Sequence, residues 1–138
     1  GGGIFNAGGT LDISNGAVIS NNIADGTAGS GGGILNDASG TLTAVNSSIT
    51  FNRANRAGGG IEATAGTTNG LTGVTLNNNN AGVAPAVANP GNGGGLHITG
   101  NGNATISGGT VNNNTAAAAI GIAISARMVP GCARMVPG

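Results

Sequence analysis

Apolar residues alternate with polar or small ones in short runs along this chain. Leu11 and Ile13, Leu42 and Ala44, Val74 and Leu76, and Ala104 and Ile106 are such pairs. Alternation at period two predicts half-buried strands. Turn-forming pairs separate the runs, among them Gly8-Gly9, Asn15-Gly16, Asn69-Gly70 and Gly108-Gly109. The pattern therefore predicts many short strands joined by tight turns.

The runs belong to a longer repeat. Four segments open alike, at Gly1-Gly2-Gly3-Ile4, Gly31-Gly32-Gly33-Ile34, Gly58-Gly59-Gly60-Ile61 and Gly93-Gly94-Gly95-Leu96, with spacings of 30, 27 and 35 residues. A second motif, aliphatic-x-x-Asn-x-Ala, runs from Ile19 to Ala24, Ile49 to Ala54, Leu76 to Ala81 and Val111 to Ala116. Its aliphatic residue always lies 18 positions after the first glycine, so each unit has a constant block of 24 residues. The loops that follow, 25–30, 55–57 and 82–92, have 6, 3 and 11 residues and account for the unequal spacings. A constant block means that each residue stacks on its equivalent, whereas a loop of free length points outward and stacks on nothing. Solenoids behave in this way.

One block then predicts one coil of a right-handed parallel β-helix (a β-solenoid), with about three short strands. Four coils spaced about 4.8 Å apart give a stack roughly 19 Å tall. Residues 1–116 form the repeat domain, with coils at 1–30, 31–57, 58–92 and 93–116, and 117–138 form a non-repetitive tail or cap. Ile4, Ile34, Ile61 and Leu96 predict one inward row, and Ile19, Ile49, Leu76 and Val111 a second. Asn22, Asn52, Asn79 and Asn114 should lie above one another at a corner. An amide side chain carries a donor and an acceptor, so stacked asparagines can hydrogen-bond along the axis, and Asn tolerates the left-handed backbone of a tight corner. Ala24, Ala54, Ala81 and Ala116 suit a corner too cramped for more, and the glycine triplets suit a corner of positive φ. The middle of the first coil is one residue out of step, since Leu11 aligns with Leu42 only after a shift.

Composition narrows the class. Of 138 residues, 30 are Gly and 20 are Asn, which opposes helices. The glycines lack the every-third-residue period of collagen. The net charge is zero and Lys is absent, which argues against nucleic acid as partner. No run of 18 apolar residues is present to span a membrane.

The Gly-Gly-Gly-Ile openings and the aliphatic-x-x-Asn-x-Ala motifs resemble the repeats of polymorphic outer-membrane proteins and of autotransporter passengers, which carry Gly-Gly-Ala-Ile and Phe-x-x-Asn signatures. The resemblance covers about residues 1–116. It departs in the third glycine, which replaces Ala, in the Ile, Leu or Val that replaces Phe, and in the lack of a C-terminal membrane barrel. It implies a secreted or surface-attached β-helix, often an adhesin, and carries over no catalytic residue.

Candidate chemistry is sparse. The acids Asp12, Asp25, Asp37 and Glu62 neither recur at one block position nor cluster, so no catalytic residue is assigned. Asp37 and Glu62 fall close enough in the block to approach on adjacent coils. Glu62 and His97 share block position 5 and should meet as a surface pair on adjacent coils. Arg53 and Arg56 flank the shortest loop and are expected in solvent. One His and one Cys cannot make a structural zinc site, and no glycine triplet precedes a Lys-Ser/Thr pair that would hold a nucleotide. No metal or other cofactor is expected. The candidate binding face comprises two rows, Ser48, Thr75 and Thr110 (with Val18 in the first coil) and Ser20, Thr50, Asn77 and Asn112, together with the longest loop, 82–92.

Two more features complete the reading. Residues 126–131 and 133–138 both read Ala-Arg-Met-Val-Pro-Gly, around Cys132. This duplicate is either foreign to the repeat protein or a tail that docks on a neighbouring subunit. An intermolecular disulfide is the one pairing open to Cys132. Gly1 coincides with the first residue of a repeat, which points to a processed chain or an excised fragment. The expected function is that of a non-catalytic extracellular or cell-surface structural β-solenoid, adhesin-like, with itself as partner by end-to-end stacking into filaments. The alternatives are an ice-binding protein using a Thr/Ser/Asn face and a polysaccharide-binding or polysaccharide-cleaving β-helix.

Overall fold

The computed structural model describes residues 1–82, 91–117 and 133–135. The described chain is all-β, a β-solenoid of four coils with four strands in each. The first coil holds β1 (Ile4–Ala7), β2 (Thr10–Ile13), β3 (Val18–Ser20) and β4 (Ile23–Ala24). The second holds β5 (Ile34–Asp37), β6 (Thr41–Val45), β7 (Ser48–Thr50) and β8 (Arg53–Ala54). The third holds β9 (Ile61–Ala63), β10 (Thr68–Thr72), β11 (Thr75–Asn77) and β12 (Asn80–Ala81). The fourth holds β13 (Leu96–Ile98), β14 (Asn103–Ser107), β15 (Thr110–Asn112) and β16 (Thr115–Ala116). Equivalent strands pair in parallel into four sheets, ordered β1-β5-β9-β13, β2-β6-β10-β14, β3-β7-β11-β15 and β4-β8-β12-β16. A seventeenth strand, β17 (Ala133–Met135), joins the fourth-coil edge of the second sheet antiparallel to β14.

The expected three strands per coil are four, because the Asn-x-Ala end of the second motif is itself a strand. Ala24, Ala54, Ala81 and Ala116 therefore sit on the fourth sheet rather than at a corner. The slip in the first coil is real and local. Two residues, Gly8 and Gly9, link β1 to β2, where Ala38, Ser39 and Gly40 link β5 to β6. The next turn is one residue longer, and Leu11 still pairs with Leu42.

The core lies along the axis. Ile4, Ile34, Ile61 and Leu96 stack on the first sheet, and Ile19, Ile49, Leu76 and Val111 on the third. Leu42, Ala44, Leu71 and Ile106 from the second sheet complete one apolar cluster with them. Each large aliphatic side chain removed from water in this way contributes about 1.5–3 kcal/mol.

The three glycines of a triplet do three different jobs. Positive φ is needed only at the first, at Gly31 (61°), Gly58 (60°) and Gly93 (57°). The middle glycine lies against main chain. A Cβ on Gly59 would come within 2.5 Å of the Asn80 main chain and nearer still to the Gly94 carbonyl. The third lies under the asparagine row, where a Cβ on Gly33 or Gly60 would stand 3.0 Å from the Asn52 or Asn79 amide nitrogen.

Left-handed backbone also falls elsewhere than expected. The residue before each stacked asparagine adopts it, at Asn21 (58°), Phe51 (57°), Asn78 (55°) and Asn113 (53°). Three of the four are Asn, which tolerates this region, while a bulky side chain does not. Phe51 is also 54% exposed, so little burial offsets its strain. Phe51→Asn is therefore expected to stabilise the chain by about 1 kcal/mol, read as a raised melting temperature. An unchanged or lowered value would contradict this account of the corner.

Candidate functional site

The corner between the third and fourth sheets carries the predicted ladder. Asn22 Nδ2 donates to Asn52 Oδ1 (3.0 Å), Asn52 Nδ2 to Asn79 Oδ1 (3.1 Å) and Asn79 Nδ2 to Asn114 Oδ1 (3.0 Å). The same acceptors take the main-chain N–H of Asn22, Asn52 and Asn79 at 3.0, 3.0 and 2.9 Å. The other amide protons of Asn52, Asn79 and Asn114 reach back to the carbonyls of Ile19, Ile49 and Leu76. Asn52 and Asn79 are fully buried. Burying an amide costs free energy unless its donors and acceptor are satisfied, and the stacking satisfies them for Asn52 and Asn79.

A second polar ladder was not foreseen. Asn6 Nδ2 donates to Asn36 Oδ1 (2.8 Å), Asn36 Nδ2 to Asn69 Oδ1 (2.9 Å), and Asn69 Nδ2 to the Asn103 carbonyl (2.7 Å). Asn6 and Asn36 are on the first sheet, whereas Asn69 is on the second, opposite Leu42 and Ala104. The ladder thus crosses the core's corner between the second and third coils. Asn6 and Asn36 also bond the carbonyls of Gly9 and Gly40, closing the turns between these sheets.

The two rows of the candidate face lie on the outer side of the third sheet. Val18, Ser48, Thr75 and Thr110 form one, and Ser20, Thr50, Asn77 and Asn112 the other, on either side of the inward aliphatic row. Their polar groups are partly engaged with one another. Asn77 bonds the Thr110 hydroxyl at 3.2 Å and accepts the main-chain N–H of Asn112 at 2.8 Å, and Asn21 bonds Ser20. Most of the 82–92 loop lies outside the described residues, as does Cys132.

Glu62 and His97 are brought together on adjacent strands of the first sheet. His97 Nδ1 lies 2.8 Å from Glu62 Oε2. A carboxylate only accepts, so the contact assigns the proton to Nδ1 and leaves Nε2 of a neutral ring as the acceptor. The pair is not the surface contact expected, since Glu62 is fully buried. Nor is Arg56 simply solvated. Its Nη2 donates to Glu62 Oε1 at 3.2 Å, while Arg53 is exposed. The short loop between β8 and β9 folds Arg56 back onto the carboxylate, so one buried acid ties that loop to the third and fourth coils. Removing a partner would leave a buried charge short of a donor. Arg56→Ala is expected to cost about 2 kcal/mol, and Glu62→Leu less, since the Arg56 and His97 side chains freed by it are part-exposed. Urea melts of the two variants give the comparison, and the reverse order would contradict it.

Asp37 does not join Glu62. Its Oδ1 accepts the hydroxyl of Thr64 on the next coil and the N–H of Ala38. The Thr64 bond first, and the Ala38 bond second, hold its carboxyl below the ordinary value against a small opposing effect of burial. The stability this adds is present at neutral pH and fades as pH falls through the lowered value.

No family model, curated protein or solved structure matches the chain. Among the described residues no group of three or more His, Cys, Asp or Glu could hold a metal ion. No helix there is long and apolar enough to cross a membrane.

Proposed function

We propose that the chain is a non-catalytic extracellular structural or surface β-solenoid, adhesin-like in presenting long sheet faces, and able to join end to end into filaments. The observation that carries this reading is the sameness of the coil junctions. Each of the three repeats the same ladder bonds and the same in-register parallel pairing. Among the described residues, Asn114 has no partner for its main-chain N–H, the group that Asn79 uses one coil earlier. A further coil, whether of this chain or of another, would be accepted by the same bonds. Unpaired strand edges recruit strands, and a head-to-tail contact that does not close gives a filament.

The fourth-coil edge of the second sheet is taken by β17, antiparallel, with Thr105 opposite Arg134. An edge strand in this place protects the sheet from other chains, so β17 opposes assembly through that end. Electron microscopy of the purified chain over a range of concentrations tests the reading. Filaments with an axial repeat of about 19 Å are expected. Ala133→Pro, Arg134→Pro and Met135→Pro together remove the main-chain donors of β17 and should lengthen them. Single particles at every concentration, in both proteins, would overturn end-to-end assembly.

A further inference from the structure

The outer side of the second sheet is a different surface from the one the sequence singled out. Outward positions of β2, β6, β10 and β14 fall in register. Thr10, Thr41, Thr68 and Asn103 make one row, and Asp12, Thr43, Gly70 and Thr105 the next. A third row adds Val45, Thr72 and Ser107. Six threonines thus stand on a rectangular grid. Its spacing is about 4.8 Å from strand to strand and about 6.7 Å between alternate residues of one strand.

The hydroxyls separate this face from the third sheet, whose two outward rows hold three threonines, Thr50, Thr75 and Thr110. No side-chain hydrogen bond among the described residues uses the hydroxyls of Thr10, Thr41, Thr43, Thr68, Thr72 or Thr105, whereas on the third sheet those of Ser20 and Thr110 are bonded to neighbours and those of Ser48, Thr50 and Thr75 are not. The three rows carry no aromatic side chain and one ionisable group, Asp12.

We infer that this face binds ice. Its hydroxyls make no side-chain hydrogen bond among the described residues, and they recur from strand to strand at Thr10, Thr41 and Thr68 and along one strand from Thr41 to Thr43, at intervals close to those of oxygens on a crystal face of ice. The methyl groups between them confine the water they hold. Threonine is stiff at χ1, so the grid is ordered before binding and little entropy is lost on contact. A glycan would be met by stacking aromatics and convergent charged groups, and an acidic or basic polymer by opposite charge. The face offers neither. Ice is a neutral, flat, periodic partner, and a hydroxyl grid with a single ionisable group at its first-coil edge complements it. The inference does not depend on filament formation.

The test measures thermal hysteresis and inhibition of ice recrystallisation by the whole chain. Thr68→Tyr and Thr105→Tyr place bulk on the second-sheet face, Thr43→Val removes one hydroxyl with little change of shape, and Thr75→Tyr puts the same bulk on the third sheet. Circular dichroism confirms that each is folded. The inference expects activity in the parent chain and in Thr75→Tyr, loss in both second-sheet tyrosine variants, and a reduction in Thr43→Val. A folded parent chain without ice activity overturns it. So does loss in Thr75→Tyr with activity kept in Thr68→Tyr and Thr105→Tyr, which would return the site to the third sheet. Capture by immobilised polysaccharide, abolished by the second-sheet variants in a chain inert toward ice, overturns it in favour of a glycan.

Discussion

Asn52→Leu is expected to lower the unfolding free energy by about 3 kcal/mol, at about 1 kcal/mol for each hydrogen-bonding group left without a partner. Three groups lose one at once, the main-chain N–H and the amide of Asn22 and the Ile19 carbonyl, while Asn79 Oδ1 keeps the main-chain N–H of residue 52. The Asn52 Oδ1 atom accepts from the main-chain N–H and the amide of Asn22, and its Nδ2 donates to Asn79 Oδ1 and to the Ile19 carbonyl. Leucine matches the amide roughly in size and offers none of these bonds. Asn52 is fully buried, and its bond to Asn79 lies out of reach of water. Asn79→Leu should behave alike, since Asn79 makes the same set of bonds one coil on. Urea unfolding of both variants measures the effect. Midpoints equal to that of the parent chain would show that the ladder contributes nothing.

Gly59→Ala is expected to cost about 3 kcal/mol or more, the range of a methyl forced into a filled space. The added Cβ would meet the Asn80 main chain and the Gly94 carbonyl. Both belong to backbone that pairs with adjacent coils, so neither can turn aside as a flexible side chain would. The coil would have to widen, and the register bonds from Gly59 to Gly93 and from Gly60 to Gly94 would stretch. Gly26→Ala is the control. A Cβ there meets nothing within 4 Å, and its effect should stay within about 0.5 kcal/mol. Equal melting of the two variants would contradict the close approach.

Much of this architecture was legible because the stacking rule acts on single columns of residues. Where a column is uniform, as at Ile34, Ile61 and Leu96 or at Asn52 and Asn79, the inward side chain repeats and the period exposes it. The Asn6–Asn36–Asn69 ladder was not legible for the opposite reason. Asn6 and Asn36 share a column, but Ala63 follows them there and the next bond runs to Asn69 on the second sheet, so the column breaks after two coils. The one local signal was Asn69 at a position where the other coils carry Leu11, Leu42 and Ala104.

The sites divide in the same way. Glu62 and His97 share a column, which makes their contact legible though not its burial, but Arg56 comes from a loop, where block arithmetic is silent. The second-sheet grid escaped notice because the first coil runs one residue out of step there. The break hides the alignment of Thr10 with Thr41 and Thr68 until the strands are paired.

The claim on which the rest depends is that the coils stack in register through these ladders. Amide hydrogen exchange on the native chain tests it most directly, because it reads each N–H singly. The main-chain amides of Asn52 and Asn79, bonded to side chains one coil away, and that of Ile34, bonded to Gly60, should exchange only on global unfolding. The loop amide of Gly26 should exchange freely. Asn52 and Asn79 amides that exchange as fast as Gly26 would contradict the stacked solenoid.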